Sequence, residues 1–100
     1  MTLYRPNAGI IIFNKEGQLL WCKRKTGDGW QFPQGGIDEG ETPEKAIYRE
    51  AYEEVGLGKD KIKIIKENKK WIKYDVPKEK IPRYFSFKNR KFKGQSQKWF

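Results

Sequence analysis

The chain has 100 residues, the size of one small domain, and its 22 basic and 13 acidic residues give a net charge of +9. The 15% aromatic content excludes plain disorder. Since no apolar run is long enough to span a membrane, we expect no membrane partner, and the low cysteine content is compatible with the cytoplasmic location that we expect. The single cysteine, Cys22, excludes an intramolecular disulfide, and the absence of histidine excludes Ser–His and Cys–His pairs and His-ligated zinc.

The first third of the chain predicts short strands separated by turns. Residues 8–25 form two apolar runs around a turn at 14–17, which is typical of a β-hairpin. Residues 30–32 predict a brief strand that ends at Pro33, and the glycines of residues 34–36 predict a loop.

Residues 43–55 predict a helix with clear signals at both ends. Thr42 is a suitable N-cap, Pro43 suits the first helical position, and Gly56 is a natural C-terminal stop. The face expected to pack on a sheet carries an apolar stripe, composed of Ile47, Tyr48, Ala51, Tyr52 and Val55.

The remainder predicts more extended structure. Residues 61–76 indicate two strands around a polar turn at 67–70, and residues 84–87 and 99–100 also look extended. Strands, one helix and further strands together predict an α+β fold with a mixed sheet.

The charge is unevenly distributed. Residues 38–58 hold seven acidic and two basic residues, a net charge of −5, while the rest of the chain carries +14. The basic part favours a polyanionic partner such as nucleic acid or a polyphosphate. The alternative is that scattered lysines reflect only a lysine-rich proteome.

Three acidic residues of the predicted helix, Glu50, Glu53 and Glu54, are spaced i, i+3 and i+4. Like charges at these spacings destabilise a helix by about 0.2–0.5 kcal/mol per pair, and the helix dipole disfavours anions in the last turn. A bound cation would remove this cost, and oxygen ligands without histidine favour Mg²⁺, Mn²⁺ or Ca²⁺. The alternative is a solvated acidic face.

The region from 35 to 57 resembles the signature of the Nudix hydrolases. The spacing is glycine, five residues, glutamate, seven residues, Arg-Glu, two residues, Glu-Glu, one residue and glycine. The matching residues are Gly35, Glu41, Arg49, Glu50, Glu53, Glu54 and Gly56, and Leu57 fills the final apolar place. Ala51 departs mildly from the signature, since it puts a small residue at an apolar position.

The resemblance implies a Nudix-type α/β/α sandwich in which Glu50, Glu53 and Glu54 are catalytic and bind a divalent metal, Mg²⁺ or alternatively Mn²⁺. It also implies that a backbone carbonyl at Gly35 is a further ligand and that one glutamate serves as base for the attacking water. Structural roles fall to the remaining motif residues, Gly35, Gly36, Glu41, Arg49 and Gly56. Of these, Glu41 and Arg49 are expected to pair and to brace the loop against the helix.

Blocks outside the motif, at 4–7, 30–36, 71–77 and 94–100, are similar to those of Nudix hydrolases that act on RNA 5′ ends. The resemblance implies conversion of 5′-triphosphorylated or diphosphorylated RNA to 5′-monophosphate RNA, which initiates mRNA decay. Alternatives are hydrolysis of a dinucleoside polyphosphate such as a diadenosine polyphosphate, or a catalytically impaired RNA-binding remnant. The matching positions suggested as substrate contacts are Arg5, Arg24, Tyr74, Gln95 and Lys98.

The chain ends at Trp99–Phe100, where Nudix hydrolases continue with more strands, a loop bearing another acidic ligand and a second helix. We therefore expect residues 1–100 to be a single Nudix domain that is incomplete at its C-terminal end, with an uncovered sheet face.

Overall fold

The computed structural model describes residues 4–24, 29–77 and 92–100. The extended structure expected at 84–87 lies outside these residues. The elements, in chain order, are β1 (Tyr4–Gly9), β2 (Cys22–Lys23), β3 (Trp30–Gln31), β4 (Gln34–Gly36), α1 (Pro43–Val55), β5 (Ile72–Asp75) and β6 (Gly94–Trp99).

Four strands form one mixed sheet in the order β4-β1-β6-β5. β1 and β6 are parallel, with Tyr4 opposite Gly94 and Gly9 opposite Trp99, whereas β4 and β5 join as antiparallel edges. β2 and β3 form a separate antiparallel pair. The predicted α+β fold with a mixed sheet is confirmed.

The two faces of this sheet differ in chemistry because side chains alternate along a strand. Ala8 and Ile10 lie on the face that packs against α1, where the buried core is small. The core consists of Ala8, Ile10, Ala46, Ile47 and Ala51, with Ile12, Ile37, Tyr48, Ile62, Ile64 and Phe100 packed around it. The opposite face carries the polar side chains of Arg5, Asn7, Gln95 and Gln97. The helix α1 therefore packs on the apolar face and not on the polar one.

Both predicted ends of α1 are confirmed. The Thr42 hydroxyl accepts a hydrogen bond from the backbone N–H of Lys45 at 3.1 Å, and Pro43 opens the helix. Gly56 ends it in the left-handed conformation, with φ at 73°, and its N–H donates to the Tyr52 carbonyl at 3.0 Å. These contacts satisfy backbone groups that a helix end leaves unpaired.

The predicted buried stripe of α1 was partly wrong. Tyr52 is 65% exposed, whereas Ala46 and Glu50 are buried beside Ile47 and Ala51. At 100° per residue Tyr52 lies about 140° from Ile47, while Glu50 lies only about 60° from it. The helix therefore buries a charged residue and exposes an aromatic one.

The predicted loop at 34–36 was also wrong, since these residues form β4. Backbone pairing with Asn7–Gly9 of β1 overrides the weak strand propensity of the two glycines. The hairpin expected over 8–25 is largely wrong. Its first strand is β1, which ends at Gly9, and only an isolated bridge joins Phe13 to Leu19. Of the expected returning strand, β2 alone forms, and it pairs with β3.

The C-terminal expectation also needs correction. Of the two strands predicted within 61–76, the structure has one, β5; residues 61–71 do not form a strand. No helix in the described ranges is long and apolar enough to cross a membrane.

The buried position of Ile47 gives a direct test of the packing between α1 and the sheet. Ile47 is 1% exposed, so Ile47→Ala should lower the free energy of unfolding by about 2–5 kcal/mol. The same substitution at Ile65, which is 66% exposed, should cost less than about 0.5 kcal/mol. Urea denaturation measures both, and equal losses would contradict this packing.

Candidate active site

Arg49, on α1, connects three groups near the edge of the sheet. Its Nε and Nη2 each donate to a carboxylate oxygen of Glu41 at 2.9 Å, a two-point pairing. Nη2 also donates to the Gly36 carbonyl at 2.8 Å, and Nη1 donates to Glu50 Oε1 at 2.7 Å. The expected Glu41–Arg49 pair is thus present, and Arg49 joins α1 to β4 and to the segment before the helix.

Glu41 is held from a second side as well. The Asp38 backbone N–H donates to Glu41 Oε1 at 3.0 Å. The hydrogen bond from Arg49 is the main reason why the pKa of the Glu41 carboxyl lies below its ordinary value, with burial opposing it. The same bond raises the pKa of Arg49, which stays charged over the whole accessible range.

Glu50 is the buried carboxylate of the site, with 6% of its surface exposed. Burial raises the pKa of the Glu50 carboxyl, and the charges of Glu53 and Glu54 raise it further. Arg49 works in the opposite direction, through both its hydrogen bond and its charge. Glu50 is thus an anion removed from water and held by one guanidinium.

The two glycines of β4 are needed for close approach. A Cβ at Gly35 would collide with the carboxyl group of Glu50, and a Cβ at Gly36 would collide with the Arg5 guanidinium. Any larger residue at either position would displace a charged group. The glycine pair therefore brings the backbone of β4 against two candidate functional side chains.

Glu53 and Glu54 lie on the exposed side of α1. Glu53 Oε2 is 3.4 Å from Nη1 of Arg49, so this guanidinium lies between Glu50 and Glu53. Within residues 4–24, 29–77 and 92–100, no three Asp, Glu or Cys side chains are gathered closely enough to hold a metal ion. The structure thus does not bring the three glutamates together, and Arg49 supplies part of the positive charge that their spacing requires.

The chemistry of these donors nevertheless fits a hard divalent cation. Glu50, Glu53 and Glu54 offer only oxygen ligands, and the last turn of α1 contains no basic residue. The backbone of Gly35 lies directly against the buried Glu50 carboxylate. Glu50, Glu53 and Glu54 are thus the groups of α1 whose chemistry suits such an ion.

Three of the predicted substrate residues lie together on the polar sheet face. Arg5 and Gln95 are directly paired between β1 and β6, and Tyr74 of β5 is opposite Gln95. Gln95 Nε2 donates to the Tyr74 hydroxyl at 2.9 Å. Gln95 is buried, and its Oε1 has no hydrogen-bond partner among the residues that the structure describes. A buried acceptor left in this way is suited to a donor from outside the chain.

The other two predicted substrate residues lie elsewhere. Lys98 pairs with Ala8 on the face toward α1, and its Nζ contacts the Lys69 carbonyl at 3.2 Å and Glu67 at 3.6 Å. Arg24 follows β2, outside the four-stranded sheet. The alternation of β6 separates Lys98 from Gln95, because odd and even positions face opposite sides.

Sequence reasoning missed an amide cluster beside Gln95. Gln97 Nε2 donates to Asn7 Oδ1 at 3.2 Å and to Gln34 Oε1 at 2.8 Å, and Trp99 Nε1 donates to Gln97 Oε1 at 3.3 Å. The signal was the alternating glutamines at 95 and 97, which mark one face of a strand as polar.

The sequence of this chain is similar to that of a known domain family and of curated relatives. The profile of the NUDIX domain matches residues 3–98. A curated RNA pyrophosphohydrolase from Mannheimia succiniciproducens is 52% identical over 97 residues, covering 97% of this chain and 48% of that protein. One from Photobacterium profundum is 53% identical, covering 97% of this chain and 54% of that protein. The chain thus spans about half the length of the curated relatives it matches.

A solved structure agrees with the fold. The dihydroneopterin triphosphate pyrophosphohydrolase of E. coli superposes with a TM-score of 0.79 at 22% identity, over 99% of this chain and 68% of that chain. This likeness supports the predicted Nudix-type α+β fold. Because the domain profile covers nearly all residues, including both glycines of β4 and the whole of α1, the chain belongs to the Nudix family.

Proposed function

We propose that this chain forms the catalytic part of a metal-dependent pyrophosphohydrolase that converts 5′-triphosphate or 5′-diphosphate RNA ends to 5′-monophosphate, acting in the cytoplasm in mRNA decay. The observation that carries the proposal is the buried Glu50 carboxylate, held by Arg49 against the glycines of β4. Curated relatives at 52–53% identity that are named RNA pyrophosphohydrolase support the choice of substrate.

Glu50, Glu53 and Glu54 would hold the divalent cation, with the Gly35 carbonyl as a further ligand. Nudix hydrolases use divalent metals, and an all-oxygen ligand set favours Mg²⁺, with Mn²⁺ as the alternative. Such an ion supplies positive charge that screens the polyphosphate and favours deprotonation of the attacking water. One of the three glutamates serves as the base that accepts this proton.

Arg49 holds the Glu50 carboxylate in place. Its hydrogen bond and charge lower the pKa of Glu50, in opposition to the burial that raises it. Glu41 and the Gly36 carbonyl fix the guanidinium plane, which leaves Nη1 directed at Glu50. Glu41 and Arg49 thus position a ligand and do not touch substrate themselves.

The polar sheet face supplies candidate substrate contacts. Arg5 lies against Gly36, the neighbour of the Gly35 that Glu50 contacts, and its guanidinium is suited to bind phosphate oxygens in two-point fashion. Gln95 and Tyr74 extend the same surface across β6 and β5. Arg24 and Lys98 belong to this proposal as more remote phosphate contacts.

Glutamate-to-glutamine substitutions in α1 test the catalytic assignment. Glu53→Gln should lower the rate of pyrophosphate release from 5′-triphosphorylated RNA by at least about 100-fold, because it removes one ligand charge. Glu44→Gln, an exposed residue of the first turn, is the matched control and should keep the rate within about twofold. The product is measured as 5′-monophosphorylated RNA with Mg²⁺ present and after chelation.

Two results would overturn the proposal for this chain. One is no metal-dependent product from the unaltered protein, which would favour an RNA-binding remnant. The other is a diadenosine polyphosphate that outcompetes the RNA in the same tube, which would favour the dinucleotide substrate.

The Glu41–Arg49 pair predicts a specific dependence of stability on acid. The pKa of Glu41 is lowered in the folded protein, so its contribution is present at neutral pH and is lost as the pH falls below about 4.5 toward the lowered value. Glu41→Gln should therefore reduce the loss of unfolding free energy between neutral and acid pH. Urea denaturation of metal-free protein at several pH values measures this loss.

The pKa values of Glu41 and Glu50 are shifted in opposite directions, so the same measurement distinguishes the two residues. The pKa of Glu50 is raised, so protonating Glu50 relieves a cost and stabilises the fold as the pH falls. Glu50→Gln should therefore steepen the loss in acid, and identical pH profiles for the two variants would contradict the arrangement.

A further inference from the structure

The ribbon formed by β2 and β3 has one face that the proposed chemistry does not use. Lys23 is directly opposite Trp30 in this antiparallel pair, and Cys22 is opposite Gln31. The same register puts Trp21 beside Phe32, and their rings stack with centroids 4.2 Å apart and an interplanar angle of 22°. Because alternate residues share a face, Trp21, Lys23 and Trp30 lie together on this side.

The two tryptophans on this face are exposed to solvent. Trp30 is 63% exposed and Trp21 is 48% exposed, and the two indoles line a shallow open cleft. Trp21 is nevertheless well supported, because Phe32 stacks on it and meets Trp99 edge-on at 6.3 Å. Trp21 is therefore supported from one side, and large parts of both indole surfaces face water.

Charge identifies the kind of partner that fits this surface. Lys23 is exposed directly opposite Trp30 and on the same face as Trp21, and the chain carries a net charge of +9. Flat aromatic surfaces beside a cation are complementary to single-stranded nucleic acid, in which bases stack and phosphates pair with the lysine.

Aromatic contacts connect the ribbon to the main sheet. The aromatic series from Trp21 through Phe32 reaches Trp99 and thus the amide cluster on the polar sheet face. An RNA strand held on the polar sheet face, where the proposed substrate contacts Arg5 and Gln95 lie, could therefore continue along this side of the ribbon.

We propose that Trp21, Lys23 and Trp30 form a stacking platform for the bases of single-stranded RNA downstream of the 5′ end. The platform deepens the proposed function and rests on it for the identity of the strand. It is independent of the 5′ phosphates, since its residues lie on the ribbon and not on α1 or the main sheet. Trp30 is the key contact because it is the more exposed indole.

Binding of a short, 3′-labelled RNA with a 5′-hydroxyl end, measured by fluorescence anisotropy in EDTA, tests the platform without any hydrolysis. Trp30→Ala should raise Kd about tenfold, and Trp30→Phe should recover most of the affinity because it keeps an aromatic ring. Phe13→Ala, which removes a similarly exposed ring outside the platform, should leave Kd unchanged. Lys23→Gln should reduce the salt dependence by about one phosphate contact.

An RNA with abasic downstream positions completes the test. The unaltered protein should bind it about tenfold more weakly than the intact RNA, and Trp30→Ala should cause no further loss. Equal Kd values for Trp30→Ala and Phe13→Ala would overturn the platform, even if pyrophosphate release is intact. Platform-dependent binding without pyrophosphate release would keep the platform and overturn the proposed reaction, so the two failures are distinguishable.

Discussion

The buried carboxylate of Glu50 is the constraint on which the candidate site depends. An anion taken out of water is costly unless a cation and hydrogen bonds replace its solvation. Arg49 provides both at 2.7 Å, and its own orientation is fixed by Glu41 and the Gly36 carbonyl. Removing any member would leave a buried charge or carbonyl without its partner, so the group is expected to act as a unit.

The same constraint explains why small residues occur where α1 meets the sheet. Ala8, Ala46 and Ala51 are fully buried there, and Gly35 leaves room for the Glu50 carboxyl group. This close packing brings the glutamates of α1 to the glycine edge of β4, while Arg5 reaches the neighbouring Gly36 from the polar face. The two adjacent glycines of β4 thus contact the proposed catalytic group, Glu50, and the proposed phosphate-binding group, Arg5.

Local chemistry made part of this predictable from sequence. The Thr42 cap, Pro43 and Gly56 fixed both ends of α1, and the spacing of Glu41 and Arg49 matched a pair that the structure contains. Long-range pairing could not be predicted in the same way. Residues 34–36 have poor strand propensity and become β4 only because β1 is available to them.

Side-chain direction was the other limit of sequence reasoning. The spacing of Glu50, Glu53 and Glu54 placed all three on one acidic face, yet the structure buries Glu50 beside Arg49 and exposes the other two. The amide cluster around Gln97 likewise forms only because β1, β4 and β6 are adjacent in the sheet, which brings Asn7 and Gln34 to Gln97. Partners distant in sequence decided both cases.

Titration of Mn²⁺, followed by the electron paramagnetic resonance signal of the free ion, tests most directly whether the glutamates around Arg49 form a metal site. The account predicts that the unaltered chain removes free Mn²⁺ from solution, that Glu50→Gln weakens this binding by about 10-fold or more, and that Glu44→Gln leaves it unchanged. Equal Mn²⁺ binding by the unaltered chain and Glu50→Gln would contradict it.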